Sequence, residues 1–258
     1  MFFNYLSKDL LLNISDTYKN FYVCHQEIPV ITLLPQQLFF LISNKAFEQS
    51  LSKSLQKSKA IFVFGCTVAL RVSDLLSVKF GDVRQAGSVY YLPVKTMKTN
   101  TIVHIKLPAY AVAIMEQFRL TAKKRKAIFP PVPITRLNNH IKKIIEAAGW
   151  KSEMGKIRTR QGVGNELIYP ISNRPFRFCD MVSSHTMRRT AITIMLMMGM
   201  KEHIVRQVSG HTISSQSFNR YVYFAQSFID NEMDKAFNNL LLSGGDENIN
   251  AMATMQMC

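Results

Sequence analysis

S-H-T-M-R-R-T-A-I-T-I-M-L-M-M-G-M-K-E-H-I-V-R-Q-V-S-G-H-T-I-S-S-Q-S-F-N-R-Y-V-Y, residues 184–223, sets the fold class. From Ser184 the apolar residues return at helical spacing as far as Met198, and Gly199 ends the run. Further helices are expected at 201–208, 215–223 and 225–241, which makes the second half of the chain densely helical. His185 and Arg188 lie three apart at a helix start and share a face, whereas Arg189 is turned about 100° away. Tyr221 and Tyr223 differ by roughly 200° and cannot point at one group together.

Outward from this stretch, residues 51–70 read as an amphipathic helix with a nearly all-buried apolar end, and Arg71 follows it directly. S-V-Y-Y-L-P-V (88–94) and T-I-V-H-I-K-L (101–107) are β-branched and aromatic, and read as a hairpin with Lys95 at its turn end. Pro35 and Pro108 open helices, the second over 109–121, and another helix is expected over 134–148. The Gly-, Pro- and Arg-rich stretch 150–183 is expected to be irregular or to hold short strands. The fold class is therefore mainly α with a small antiparallel β-sheet (α+β), beginning near Ile31 and fraying from Ser243.

The 258 residues carry 32 Lys plus Arg against 17 Asp plus Glu, a net charge of +15 that suits a polyanionic partner. The longest apolar run, Ala60 to Leu70, is eleven residues, short of the roughly 20 a membrane span needs. M-F-F-N-Y-L-S-K-D-L has no basic leader before an apolar stretch, so neither membrane insertion nor secretion is expected. The four cysteines are scattered without a C-x-x-C pair, which argues against a zinc site or disulfide scaffold and fits a reducing cytoplasm. No G-x-x-x-x-G-K is present, and the expectation is of no cofactor, metal or nucleotide. The K-K-R-K run at 123–126 is read, modestly, as a phosphate contact, and the methionines of 194–200 as adaptable core packing.

Four segments carry a more specific signal: T-V-A-L-R-V-S-D-L-L-S-V, V-K-T-M-K-T, S-H-T-M-R-R-T and S-G-H-T-I-S-S-Q-S-F-N-R-Y. In this order they resemble the catalytic domain of the tyrosine recombinase (phage integrase) family over roughly residues 31–241. The resemblance implies a site-specific DNA recombinase or integrase that cleaves and rejoins duplex DNA through a 3′-phosphotyrosyl intermediate. It also implies that residues 1–30 are a remnant or linker of a core-binding domain and that 242–258 are a flexible tail. Opening a phosphodiester needs a nucleophile, charge on the non-bridging oxygens and a proton for the leaving 5′-oxygen. Arg71 and Arg188 suit the planar clamp on those oxygens. His185 is the candidate base, Lys95 the general acid with Lys98 as runner-up, and Asp74 a partner for Arg71. By resemblance His211 hydrogen-bonds the phosphate and Tyr221 is the nucleophile, although relatives more often have this tyrosine one residue closer to the histidine; Tyr223 is the competitor. The implied partners are double-stranded DNA, three further copies of the chain in a homo-tetramer on paired sites, and accessory DNA-bending proteins. Two other readings stay open: a type IB topoisomerase-like nicking-closing enzyme, and a non-catalytic DNA-binding regulator on a degenerate domain. The last helix can pack on its own domain or on a neighbouring protomer.

Overall fold

The computed structural model describes residues 30–95, 102–122, 125–160, 163–170 and 172–243. Helix α1 (Pro35–Ser43) starts on a proline that lacks the N–H a first turn cannot satisfy. Asn44 ends it and caps α2 (Lys45–Ser50), its Oδ1 accepting from Phe47 N–H at 2.8 Å. Ser52 caps α3 (Lys53–Val68), which from Ser58 onward is buried at every position except Thr67. That explains why its sequence loses amphipathic spacing towards the C-terminal end: every face is covered by protein. Around it pack α1, α5 (Ala109–Leu120), α6 (Ile134–Ala147) and α8 (Ser184–Met197).

The approach of α8 depends on Gly65 in α3. A Cβ at that position would overlap Met187 Sδ and stand 3.1 Å from Met187 Cβ. Gly65→Val is therefore expected to destabilise the protein by about 1–3 kcal/mol through overpacking. The check is a urea titration in which the midpoint falls at unchanged slope. A buried hydroxyl cluster fixes the other side of α8. Thr32 Oγ1 lies 3.2 Å from Thr190 Oγ1 and 2.8 Å from Thr193 Oγ1, and Leu33 N–H donates to Thr190 Oγ1 at 3.0 Å.

Lys59 is 4% exposed and pairs with Glu48 at 3.3 Å. Burial lowers its pKa and Glu48 opposes that shift. Removing one partner of a buried pair typically costs several kcal/mol, and Glu48 keeps partial exposure, so Glu48→Ala should cost about 2–3 kcal/mol. The folded amine releases its proton before the unfolded one, so its contribution to stability rises with pH between the lowered folded pKa and the ordinary lysine value of 10.5. Denaturant midpoints of Glu48→Ala against the parent chain, followed across that range, check both statements.

Between α3 and α5 come α4 (Val72–Ser77), a 3₁₀ turn (Phe80–Asp82) and an antiparallel sheet of β1 (Arg84–Ala86), β2 (Val89–Lys95) and β3 (Ile102–Leu107), in that order. Leu92 faces Ile105 and Lys95 faces Ile102 across β2–β3. In β3, Val103, Ile105 and Leu107 enter the core while the alternate residues face solvent. The hairpin is as expected, with Lys95 the last residue of its strand. β1 is an addition: three exposed residues show no alternation to read, and the signal lies in the turn, where Gly87 takes φ +60 in a two-residue connection.

Residues Gly155–Pro175 form a separate compact unit of two small hairpins, β4 (Ile157–Arg160) with β5 (Val163–Glu166) and β6 (Ile168–Tyr169) with β7 (Arg174–Pro175). This agrees with short strands in the irregular stretch. The larger unit resumes with α7 (Phe178–Met181), α8, α9 (Glu202–Ser209) and α10 (Gln216–Ser243). The expected pair of helices at 215–223 and 225–241 is instead one helix of 28 residues. Phe218, Tyr221, Val222, Ala225 and Phe228 keep one apolar face across the expected break, and no Gly or Pro interrupts it. From Asp230 to Asn239 every residue is exposed, including Met233 (51%) and Phe237 (57%).

The methionines of 194–200 divide: Met197 is buried and Met195 partly so, while Met198 and Met200 are exposed. In the K-K-R-K run, residues 123 and 124 lie outside the described residues. Arg125 donates Nε–H to Ala127 O at 2.8 Å and Nη2–H to Ile128 O at 3.0 Å, so it fastens the turn below α5 instead of waiting for a phosphate. Residues 1–29 and 244–258 lie outside the described residues, as do the assignments made for them. No described helix is long and apolar enough to cross a membrane.

Candidate active site

The site begins where α3 stops. Ala69, buried, takes φ +55 and ψ +19, a left-handed conformation that costs an L-residue on the order of 1 kcal/mol. The turn it makes buries Leu70 and brings Arg71 out, half-buried, as the extended residue before α4. It also aims the Ala69 carbonyl at α8. Arg188 donates Nη1–H to that carbonyl at 2.7 Å and Nη2–H to Ser209 O, the last carbonyl of α9. One guanidinium thus joins the α3–α4 corner, α8 and the end of α9. Burial and, after it, the like charge of Arg71 lower the Arg188 pKa to about 10, against the opposing influence of Tyr221 and Asp74. Arg188 stays cationic at neutral pH, and the same interactions place Arg71, Tyr221 and Asp74 around it.

Gly210, at φ +63, ends α9 in the conformation that favours glycine, and His211 N–H returns to Arg206 O at 2.9 Å. The His211 ring is held at Nδ1, 2.8 Å from Ser209 Oγ and 3.4 Å from Arg188 Nη2. It meets Phe218 at 5.4 Å and stands edge-on to Tyr221 at 6.0 Å between ring centres. Tyr221 is half-buried on the inner face of α10, and Tyr223 is 81% exposed on another face. Of the two tyrosines, Tyr221 is the one whose ring meets His211 and whose charge acts on Arg188.

Arg71, Arg188, His211 and Tyr221 therefore come together. His185 is placed on the first turn of α8, as expected, but its side chain is exposed. Among the described residues no hydrogen bond or ring contact joins it to Tyr221. Lys95 is placed at the end of β2 by its backbone, and Lys98 lies outside the described residues. Asp74 acts electrostatically on Arg188, and makes no ion pair with Arg71 among the described residues. Two guanidiniums and an imidazole beside a phenol can bind the non-bridging oxygens of a phosphodiester and stabilise the charge that grows on them.

Two contributors were not visible in the sequence. Ser209 holds Arg188 with its carbonyl and His211 with its hydroxyl. Arg206 donates to Thr212 O at 3.1 Å, Ile213 O at 3.3 Å and Asn219 Oδ1 at 2.9 Å, and lies 4.0 Å over the Phe218 ring. It pins the His211 loop onto the helix that carries Tyr221. The available signal was the spacing of Arg206 five before His211, which means little until Gly210 is known to reverse the chain.

Comparison with known proteins adds sequence and fold relationships. The family model described as the phage integrase family matches residues 44–227, a span that contains all six candidate residues. No protein of curated function matches the sequence significantly. Among solved structures, the XerH site-specific recombinase in a post-cleavage complex with palindromic difH substrate is similar at TM-score 0.59 and 15% identity, over 86% of this chain and 57% of that one. A lambda integrase (75–356) dimer bound to a COC′ core site is similar at TM-score 0.54 and 13% identity, over 85% and 68% of the two chains. The Tn1549 transposon integrase in complex with transposon right end DNA is similar at TM-score 0.52 and 13% identity, over 81% and 66%. Against XerH this chain spans 52–57% of the longer protein's length. At these identities the likeness is one of fold: a mainly helical domain with small antiparallel sheets, as in tyrosine recombinase catalytic domains. With the family model matching well over half of its length, the chain belongs to the phage integrase family.

Proposed function

We propose that this chain is a site-specific DNA recombinase that cleaves and rejoins duplex DNA through a 3′-phosphotyrosyl intermediate. The observation that carries the reading is the convergence of Arg71, Arg188, His211 and Tyr221 from four separate elements onto one corner. The Tyr221 oxygen attacks the phosphorus, and the arginines stabilise the charge that grows on its non-bridging oxygens. The bond to the 5′-oxygen breaks, and Lys95, from the hairpin end, supplies the proton that oxygen needs. His185, exposed on the first turn of α8, is the base that takes the Tyr221 hydroxyl proton as the ester forms. The phosphotyrosyl ester conserves the bond energy, so religation is the reverse attack by a 5′-hydroxyl and needs no ATP.

The net charge of +15 supports a duplex DNA partner, reached through phosphate contacts. Met233 and Phe237, exposed near the end of α10, favour assembly of several copies on paired sites over a monomeric nicking-closing enzyme. The four converged residues argue against a degenerate, purely regulatory domain.

The test is a nicked suicide duplex built from the ends of the DNA element that encodes the chain, incubated in EDTA. A covalent protein–DNA adduct that survives denaturing electrophoresis is expected, because the ester forms between phenol and phosphate without a metal. Adduct that appears only with Mg²⁺ overturns the mechanism.

A further inference from the structure

Arg206 lies in the last turn of α9, and its side chain is 14% exposed. Its Nη1–H groups go to two successive loop carbonyls, Thr212 O at 3.1 Å and Ile213 O at 3.3 Å. Its Nη2 donates to Asn219 Oδ1 on α10 at 2.9 Å and lies 3.5 Å from Glu202 Oε2. The guanidinium carbon stands 4.0 Å over the ring of Phe218, which is fully buried and meets both His211, at 5.4 Å, and Tyr221, at 6.3 Å between ring centres. The loop of residues 212–215 has a single apolar residue, Ile213, and that side chain is 92% exposed, so burial does not hold the loop in place. Arg206 is the side chain that ties it to the first turn of α10.

Building on the function proposed above, we propose that Arg206 and Asn219 form a clasp that positions Tyr221 for attack, and that Arg206 takes no phosphate of the DNA. Phe218 and Tyr221 are three residues apart and share a face of α10, so a group that fixes Phe218 also fixes the direction in which Tyr221 leaves the helix. Phe218 and Asn219 differ by about 100° around that helix. One planar guanidinium that stacks on the first and bonds the second therefore resists rotation of α10 about its axis, and its bonds to Thr212 O and Ile213 O tie that setting to the loop that begins at His211. A basic residue this close to the site reads as a DNA contact from charge alone. Both terminal nitrogens of Arg206 already have protein acceptors, however, and Glu202 offsets its charge. Arg71 and Arg188 serve the phosphate; Arg206 acts on the reaction only through Phe218 and Asn219. Such an indirect role is large when the group it places is the nucleophile, because a misplacement of about 1 Å can cost about 100-fold in rate.

The experiment separates positioning from DNA contact and from folding. On the suicide duplex at saturating protein, Arg206→Ala should form adduct roughly 100-fold more slowly than the parent chain. Its affinity for uncleaved duplex and the salt dependence of that affinity should stay at parent values, whereas loss of a phosphate contact would lower the salt slope by about 0.9. Asn219 is exposed, so Asn219→Ala leaves the core intact and tests the clasp even if Arg206→Ala does not fold. It should slow adduct formation roughly tenfold, a smaller displacement of the same group, and Asn219→Asp, which keeps an oxygen acceptor for the guanidinium, should recover the rate. In the full chain labelled with 3-fluorotyrosine, the Tyr221 ¹⁹F resonance, assigned by its loss in Tyr221→Phe, should shift or broaden in Asn219→Ala while that of Tyr110 does not. Parent rates of adduct formation in Asn219→Ala overturn the proposal. So does a salt slope that falls together with the rate in Arg206→Ala, which would make Arg206 a DNA contact. If the parent chain makes no adduct at all, the recombinase reading fails on its own, and the Tyr221 resonance still decides the clasp: an unchanged signal in Asn219→Ala overturns it.

Discussion

Tyr221→Phe should give no detectable covalent adduct on the suicide duplex while binding the same DNA as the parent chain does, and Tyr223→Phe should form adduct at close to the parent rate. Only an oxygen is lost in each case, and phenylalanine keeps the ring. Tyr221 stands against Phe218 at 6.3 Å and His211 at 6.0 Å, contacts that a phenyl ring preserves, so the fold and the placement of Arg71 and Arg188 remain. Without a nucleophile there is no path to the ester, and the loss is complete rather than graded. Tyr223, 81% exposed and about 200° around α10, loses a hydroxyl that faces solvent. Denaturing gels measure adduct, and mobility shifts on the uncleaved duplex measure binding. Adduct retained by Tyr221→Phe and lost by Tyr223→Phe would transfer the nucleophile and require α10 to rotate on DNA.

The order of chemistry-bearing residues was legible in the sequence because each belongs to a short local pattern. The helix that holds His185 and Arg188, the corner after 51–70 and the hairpin ending at Lys95 all occur where periodicity put them. The links between those patterns were not legible. Nothing local shows that Arg188 will donate to Ala69 O and Ser209 O, 119 and 21 residues away, because carbonyls are present at every position. Which carbonyl matters is decided by the turn at Ala69, and alanine gives no sign of a left-handed conformation. The split at residue 224 failed for a related reason. The continuity of the apolar face of α10 across that position emerges only against the core it covers. Arg125 shows the converse: a basic run reads as a DNA contact from charge alone, whereas its donors are committed to two backbone carbonyls.

The second large effect is expected at Arg188. Arg188→Ala should slow adduct formation by on the order of 10³-fold, the upper end for loss of one preorganised donor to a developing anion. The upper end applies because this guanidinium does more than face the phosphate. Two of its N–H groups hold Ala69 O and Ser209 O, so its removal loosens the corner that presents Arg71 and the helix end that presents His211. Leaving those carbonyls without their donor should also cost about 1–3 kcal/mol of stability, visible as a lower denaturant midpoint. Arg188→Lys should recover charge but little rate, since an ammonium on a flexible stem cannot bridge two carbonyls and still offer a planar edge to phosphate. DNA affinity should fall far less than rate, because one phosphate contact among several is lost. Arg189→Ala provides the comparison, turned about 100° from Arg188 and expected to cleave within a few-fold of the parent. Single-turnover adduct formation, measured at saturating protein, separates the two arginines. If Arg188→Ala cleaves within tenfold of the parent, the convergence at this corner is structural and the phosphate is bound elsewhere.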